Sequence, residues 1–326
     1  MKKKYQNGFF LFGLGVLALM VTRLDFQEVC TGVQRAGYWF FAVVAIWFFL
    51  YLLNTSAWYI IIRSLSPKKV SFWWLYKITV SGFALNYATP GGLMGGEPYR
   101  VMSLSPVIGT ASASSSVILY AMTHIFSHFW FWLLAVVLYL LTQPLNIGIG
   151  IMLTAVSTFC LLAIWFFLKG YKKGIAVRCL SLLSRFPMVK RWAKGFFESH
   201  EEQLNAIDRQ IAALHNQNRR TFISAVALEL LCRVLSAFEI FFILLVILPS
   251  ASYLDCILIL AFTSLIANML FFMPLQLGGR EGGFLMSAKG LSLSFGAGIF
   301  VALLVRLREL IWTAIGLLLI KFDKKR

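Results

Sequence analysis

Two copies of one short motif contain the residue types in this sequence that are best suited to chemistry. They are Pro90-x-x-Leu93-x-Gly95-x-Glu97 and Pro274-x-x-Leu277-x-Gly279-x-Glu281. Proline and paired glycines break a helix, and the free backbone amides at a helix N-terminus attract anionic groups. Each copy also places a carboxylate beside the break. The motif therefore predicts a binding region for a polar or charged group in each half of the chain.

Polar residues near the two motifs extend this predicted region. Arg100 follows the first motif by three residues, and two roles stay open for it: an orientation charge at the cytoplasmic face or a phosphate contact. The predicted substrate path consists of Asn86, Pro90, Gly91, Gly95, Glu97, Arg100, Asn268, Pro274, Gly278, Gly279, Glu281, Arg306 and Glu309.

Charged residues also lie inside apolar segments, where a charge costs at least about 2.5 to 3.5 kcal/mol and needs a partner. Arg306, Arg308 and Glu309 lie about midway along the last such segment. Arg306 is predicted to pair with Glu309 on the same helix face or with Glu281 of its own half. A functional role is favoured for Glu281 and Arg306, because both are associated with the second helix break.

Two other pairs of ionisable residues have helical spacing. Glu229 and Arg233 are four residues apart, with Glu239 deeper in the same segment, and a structural ion pair is the favoured interpretation. His124 and His128 are also four apart and could supply two metal ligands. The sequence offers no third ligand at useful spacing, so hydrogen bonding within a helix bundle is favoured for both histidines.

These residues are embedded in a strongly apolar chain. Of its 326 residues, 60% are hydrophobic and 13% are charged, and the mean hydropathy is +0.79. Such values lie far outside the range of soluble domains, so the sequence predicts an all-α integral membrane protein. Full spans of about 20 apolar residues are predicted at roughly 8–22, 36–62, 112–141, 145–168, 221–248 and 295–320.

Two segments, 70–109 and 253–290, begin apolar and then break at the motifs. The positive-inside rule places the N-terminal lysines, the basic linker 169–220 and the C-terminal tail in the cytoplasm. The linker holds eleven Lys or Arg against four acids, so its side is well determined. This orientation requires each segment to return to the side it came from. Re-entrant hairpins are favoured over pairs of short full spans, because the stretches after each proline are polar and rich in glycine.

The two halves repeat the order span, hairpin, span. We therefore predict one membrane domain with two inverted repeats, six full spans and two re-entrant hairpins, a plan typical of secondary transporters. Its parts are repeat one at about 36–141, a cytoplasmic linker at about 169–220 and repeat two at about 221–320. The two Pro-Gly-Glu breaks are expected to meet near the middle of the membrane.

The formal charge of +17 is carried mainly at the ends of apolar segments, which favours anionic lipid headgroups as partners over nucleic acid. The linker is expected to rest on such headgroups. The five cysteines form no Cys-x-x-Cys and no His-linked spacing, and four of them lie in apolar or basic, cytoplasmic-looking stretches, so neither a disulfide nor a structural zinc site is expected. The N-terminal apolar run lacks a small-residue cleavage site, so it is predicted to be an uncleaved span. The predicted location is the bacterial cytoplasmic membrane with both termini inside; homo-oligomerisation stays open.

The series Asn86, Pro90-Gly-Gly, Gly-Gly-Glu97 and Arg100, followed by Pro274, Gly278-Gly, Glu281 and Arg306, resembles the lysylphosphatidylglycerol synthase transmembrane family. This flippase-like domain also occurs in the multiple peptide resistance factor. The resemblance implies movement of a lipid with a polar or charged headgroup between leaflets. Family members that make aminoacyl lipids carry a further soluble domain, so lipid synthesis is not expected from this chain, which ends at Arg326. Many relatives also have a Glu-Arg pair where this sequence has Val117 to His124.

A lipid translocator is therefore the leading hypothesis. A proton-coupled transporter of a small anionic solute, using Glu97 or Glu281, is the first alternative. The second is a non-transporting partner of a membrane glycosyltransferase or synthase. An enzyme is disfavoured because no nucleophile, metal cluster or nucleotide-binding loop stands out, and no cofactor is expected.

Overall fold

The computed structural model describes residues 26–88, 95–173, 219–269, 282–284 and 295–321, together with seven single positions between residues 8 and 22. Its described elements are α-helices, and no strand occurs within these ranges. The helices are α1 Phe26–Ala36, α2 Tyr38–Leu65, α3 Phe72–Ala88, α4 Gly96–Ile108, α5 Thr110–Thr142, α6 Ile147–Lys173, α7 Arg219–Leu245, α8 Tyr253–Met269 and α9 Phe295–Lys321.

Three described segments are long and apolar enough to cross a membrane: α2, α5 and the part of α6 from Ile147 to Trp165. Helices α7 and α9 have 27 residues each and are about 40 Å long, which also suffices. Unlike those three segments, α7 and α9 carry several charged residues along their length. Five predicted spans thus coincide with long helices. The span predicted at 8–22 lies largely outside the described residues, and the number of crossings stays a prediction.

Helices α3 and α4 occupy the segment where the first hairpin is predicted. Helix α3 has 17 residues and α4 has 13, whereas a span needs about 20. Residues 89–94 between them are outside the described ranges. Gly109 joins α4 to α5 with φ of 88°, a left-handed conformation that glycine adopts without strain. Return of this segment to its starting face stays a prediction.

Helix α1 is an addition to the predicted elements. It has 11 residues and a mixed polar and apolar sequence, so it carries no signal for a membrane span. Its Gly32 lies against Leu303 of α9, and the Arg35 guanidinium lies 5.4 Å from the ring centre of Phe300. Helix α1 therefore packs on the last helix of the chain.

The two halves of the chain interlock. Helix α2 packs along α7, α3 packs along α9, and α5 contacts both α7 and α8. The two larger buried apolar clusters each contain side chains from both halves. One separate half would leave large parts of both clusters uncovered.

Small residues allow α3 and α9 to cross closely. A Cβ added at Gly316 of α9 would lie 2.5 Å from Ala84 Cβ and 2.9 Å from the Val80 carbonyl oxygen. The Ser81 hydroxyl donates to the Gly316 carbonyl at 2.9 Å. Helix association within a membrane relies on close backbone approach and interhelical hydrogen bonds, because the surrounding lipid is itself apolar. This crossing fixes α3, which carries part of the candidate site.

Candidate functional site

Asn86 joins the two helices on either side of the first break. Its Oδ1 accepts from the Gly96 backbone N–H at 2.7 Å, and its Nδ2 donates to Glu97 Oε1 at 3.0 Å. Gly95 precedes α4 and offers no side-chain cap. A Cβ at Gly96 would overlap the Gly82 carbonyl oxygen. The break is thus held by one asparagine and by glycines that let α3 and α4 meet.

Arg100 of α4 lies in a cage of aromatic rings. Its Cζ is 4.8 Å from the ring centre of Phe83, 5.3 Å from Tyr120 and 5.6 Å from Trp58. Its side chain is only 2% exposed. Gly82 makes room for it, because a Cβ there would overlap the guanidinium. Cation–π contacts of this kind stabilise a desolvated cation but leave its N–H donors unused.

The hydrogen bonding of Arg100 is incomplete. Its Nη1 lies 3.4 Å from Glu97 Oε1, at the long end for a charged hydrogen bond. Its Nε and Nη2 are buried and have no hydrogen-bond partner among the described residues. The same holds for three other buried atoms nearby: Trp58 Nε1, Ser103 Oγ and Glu97 Oε2.

Four residues contribute these atoms, and three of them can donate a hydrogen bond: Arg100, Trp58 and Ser103. Ser103 lies one turn after Arg100 on the same face of α4. Most buried polar atoms in proteins are hydrogen-bonded, so a group of unpaired donors calls for an explanation. A bound anion would supply the missing acceptors, and the guanidinium fork matches phosphate or carboxylate oxygens.

The second half contains a completed ionic contact. Arg308 of α9 donates from Nε to Glu239 Oε1 at 2.7 Å and from Nη2 to Oε2 at 2.8 Å. Trp47 of α2 donates to the same carboxylate at 3.0 Å, and its ring centre lies 3.8 Å from Arg308 Cζ. Glu309 Oε1 is 3.8 Å from Arg308 Nη1. This contact joins three helices from both halves.

The ionisable residues of α5 and α7 form a third group. His124 Nδ1 lies 2.7 Å from Glu229 Oε2. Arg233 donates to the Ser127 hydroxyl at 2.7 Å and to the His124 carbonyl at 2.8 Å. The bonds of Glu229 and Arg233 thus run to α5, where sequence spacing indicated a pair within one helix.

The structure brings together part of the predicted site. Asn86, Gly95, Glu97 and Arg100 meet at the first break. Asn268 lies exposed near the end of α8, where it donates to the Ser264 carbonyl. Arg306 is half-buried and Glu309 is buried on α9. The predicted Pro90, Gly91, Pro274, Gly278, Gly279 and Glu281 lie outside the described residues. The meeting of the two motifs therefore stays a prediction.

Sequence reasoning did not find the Arg308–Glu239 pair or the unpaired donors of Trp58 and Ser103. The pair had a usable signal, because one acid and one base inside two separate apolar helices need partners and can satisfy each other. Trp58 and Ser103 had none, since tryptophan and serine are common in membrane helices.

Comparison with known proteins adds a family. The family described as Lysylphosphatidylglycerol synthase TM region matches residues 8–316. The chain belongs to this family. No curated protein and no solved structure matches it.

The family match confirms the resemblance found in the motifs. The matched region includes the first break with Arg100 and the Arg308–Glu239 contact. Together with the apolar helices, family membership places the chain in a membrane. Both charged groups of this chain therefore lie within the matched region, and a charge inside a membrane needs a partner or a ligand.

Proposed function

We propose that this member of the lysylphosphatidylglycerol synthase transmembrane family translocates a lipid with an anionic or otherwise polar headgroup between membrane leaflets. The observation that carries the proposal is the buried Arg100 beside the α3–α4 break, with two N–H donors that lack a partner in the part of the chain that the structure describes. The proposed location is the bacterial cytoplasmic membrane, with both termini inside. No covalent step and no cofactor are involved.

The energetics of Arg100 favour a ligand over a structural role. A membrane-buried charge costs at least about 2.5 to 3.5 kcal/mol, and each hydrogen bond to a charged group returns about 1.5 to 3 kcal/mol. Arg100 makes one long contact with Glu97. A phosphate or carboxylate oxygen pair could fill Nε and Nη2 in the bidentate geometry that arginine favours. The site is thus better completed with an anion than without one.

The arrangement of the halves supports a transport path. Helices α2 and α7 have 28 and 27 residues, and α3 and α8 have 17 each. The contact between α3 and α9 has a counterpart in the contact between α8 and α5. We infer that the halves are inverted repeats, each with a re-entrant hairpin, and that movement of one against the other exposes the site to alternate faces.

The basic linker gives a further partner. Its excess of Lys and Arg favours contact with anionic headgroups at the cytoplasmic surface, at about 1 kcal/mol per residue near the surface. Such contact would concentrate anionic lipid beside the path.

Reconstitution tests the proposal. The purified chain is placed in vesicles with fluorescent phosphatidylglycerol, phosphatidylcholine or a polyisoprenyl phosphate in both leaflets, and an external quencher reports leaflet exchange. We expect accelerated exchange of at least one anionic lipid, and loss of it in Arg100→Gln. Arg63→Gln, an exposed arginine near the end of α2, is the matched control and should exchange at the wild-type rate. Absence of exchange for every lipid would refute the proposal.

A small anionic solute is the second candidate, because the 2% exposure of the Arg100 side chain also suits a compact ligand. Uptake of radioactive phosphate into the same vesicles separates the two. Phosphate uptake without lipid exchange would favour the solute transporter.

A further inference from the structure

A row of ionisable side chains lies between α5 and α7, next to the Arg100 cage but separate from the break. His124 and His128 are one turn apart on α5, and their ring centres are separated by 5.6 Å. His124 binds Glu229 of α7 at 2.7 Å. On the other side of His124, the Tyr120 ring centre lies 6.3 Å away, and Arg100 Cζ lies 5.3 Å from that same ring. The row therefore ends at the proposed anion site.

Two atoms of this row lack a hydrogen-bond partner among the described residues, whereas both carboxylate oxygens of Glu239 are bonded to Arg308. Glu229 is 1% exposed, and its Oε1 has no hydrogen-bond partner in the part of the chain that the structure describes. His128 Nδ1 is buried and equally without a partner there. His124, in contrast, is 28% exposed. His124 is therefore a partly exposed imidazole bound to a buried carboxylate, and its second ring nitrogen has the capacity to take up a proton.

Charged residues near the His124–Glu229 pair affect how readily His124 takes up a proton. Arg233 of α7 donates to the His124 backbone carbonyl at 2.8 Å, and Arg100 of α4 lies beyond Tyr120 at the end of the row. His128 and Tyr120 of α5 and Cys232 of α7 are the other titratable groups that interact with the pair. Two nearby arginines disfavour an imidazolium. An anion on Arg100 would offset one of them and make protonation of the pair easier.

We propose that the His124–Glu229 pair is a proton-binding site that loads one proton when an anion binds at Arg100. Hydronium from the aqueous phase gives up the proton and leaves as water, and an N–H bond forms at the His124 ring nitrogen that faces away from Glu229. The imidazolium is then held against the carboxylate. Anion and proton together add no net charge to the membrane interior, which allows the proton gradient to drive the lipid. The inference rests on the proposed function only through the anion at Arg100.

Linkage gives the sign and size of the effect. Because binding is reciprocal, protonation must strengthen anion binding by the same factor by which the anion strengthens proton binding. At an effective dielectric constant of about 20, one unit charge on His124, at its distance from an anion bound to Arg100, changes the affinity for that anion about tenfold. Anion affinity should therefore fall about tenfold as the pH rises through the titration of His124.

Histidine NMR provides the test on the full chain. The protein, labelled with ¹⁵N in its histidines, is titrated from acid to alkaline pH in maltoside micelles, which contain no phosphate. The titration is repeated with dioctanoylphosphatidylglycerol. His124→Gln assigns the signal, and His200 and His215 are internal references. We expect His124 to titrate, and its midpoint to move up by about one pH unit with the lipid. The shift should vanish in Arg100→Gln. A His124 signal that does not titrate, or a midpoint unaffected by the lipid, would overturn the proposal.

Glu229→Gln should abolish the pH dependence of lipid binding, and Ser236→Ala on the same helix should preserve it. If Glu229→Gln does not fold, the wild-type titration still decides. Lipid exchange that is independent of pH would overturn proton coupling and leave the translocator standing. Proton-linked binding of the lipid without leaflet exchange would refute translocation and leave the proton site standing.

Discussion

Arg100 and Arg308 are two buried arginines among aromatic rings in apolar helices, yet their hydrogen bonds differ. Arg308 shares two bonds of 2.7 and 2.8 Å with Glu239, and Trp47 donates to the same carboxylate. Arg100 has one contact of 3.4 Å with Glu97, and two of its donors have no hydrogen-bond partner within the described ranges. A completed charge fastens helices together, whereas an incomplete one is available to a ligand. The difference assigns a structural role to Arg308 and, under the proposed function, a ligand-binding role to Arg100.

The largest expected effect comes from breaking the completed pair. Arg308→Met leaves Glu239 as an uncompensated buried charge, which costs about 3 to 5 kcal/mol. We expect a sharp drop in the thermal unfolding midpoint, measured by tryptophan fluorescence in detergent. The double variant Arg308→Met with Glu239→Leu should recover much of the loss. A single variant as stable as the wild type would show that the pair does not fasten the helices.

Arg100→Gln should lower lipid affinity far more than it lowers stability. Loss of charged hydrogen bonds worth about 1.5 to 3 kcal/mol predicts roughly 10- to 150-fold weaker binding of an anionic lipid. Stability should change little, because few native bonds are lost. Binding of dioctanoylphosphatidylglycerol by titration calorimetry measures the first quantity and thermal unfolding the second. Unchanged affinity with lowered stability would make Arg100 a structural residue like Arg308.

Two glycine substitutions sharpen the same distinction without altering charge. Gly82→Ala pushes against the Arg100 guanidinium, so it should weaken lipid binding by about tenfold at modest cost in stability. Gly316→Ala instead meets Ala84 and a backbone carbonyl, and overpacking there should cost about 1 to 3 kcal/mol of stability. The same calorimetric and unfolding measurements apply. Reversal of the two profiles would contradict the assignment of the two contacts.

Ser103→Ala is expected to give the smallest effect. Its hydroxyl is one neutral donor near Arg100, worth about 0.5 to 1.5 kcal/mol if a ligand accepts from it. Affinity should fall about two- to tenfold, measured calorimetrically beside Ser105→Ala, whose hydroxyl already donates to the Val101 carbonyl. Equal affinities for the two variants would remove Ser103 from the site.

Much of the fold follows from apolar length and helix-breaking residues. Long apolar runs predicted helices where α2, α5, α6, α7 and α9 occur, because only a helix satisfies its own backbone in lipid. Proline and glycine marked the break before α4. Helix α1 was missed because it is too short and polar to resemble a span. The return of each predicted hairpin to the membrane face it came from remains a prediction from charge bias.

The site was predictable where its contacts are local and not where they are distant. Asn86, Glu97 and Arg100 lie within 15 residues of one another, so the motif indicated their proximity. The choice of Glu239 as the partner of Arg308, and of Glu229 for His124, depends on how separate helices cross. Sequence spacing favoured partners on the same helix. Only the packing of α5, α7 and α9 selects the partners found.

The central claim is that Arg100 binds the anionic headgroup, and solid-state NMR can test it directly. Arginine ¹⁵N signals of the chain, in membranes containing phosphatidylglycerol, are dephased by the ³¹P of the lipid when the two nuclei lie within about 4 Å, as in a bidentate arginine–phosphate pair. The account predicts a dephased guanidinium signal that disappears in Arg100→Gln and persists in Arg63→Gln. An identical dephased signal in wild type and Arg100→Gln would contradict it.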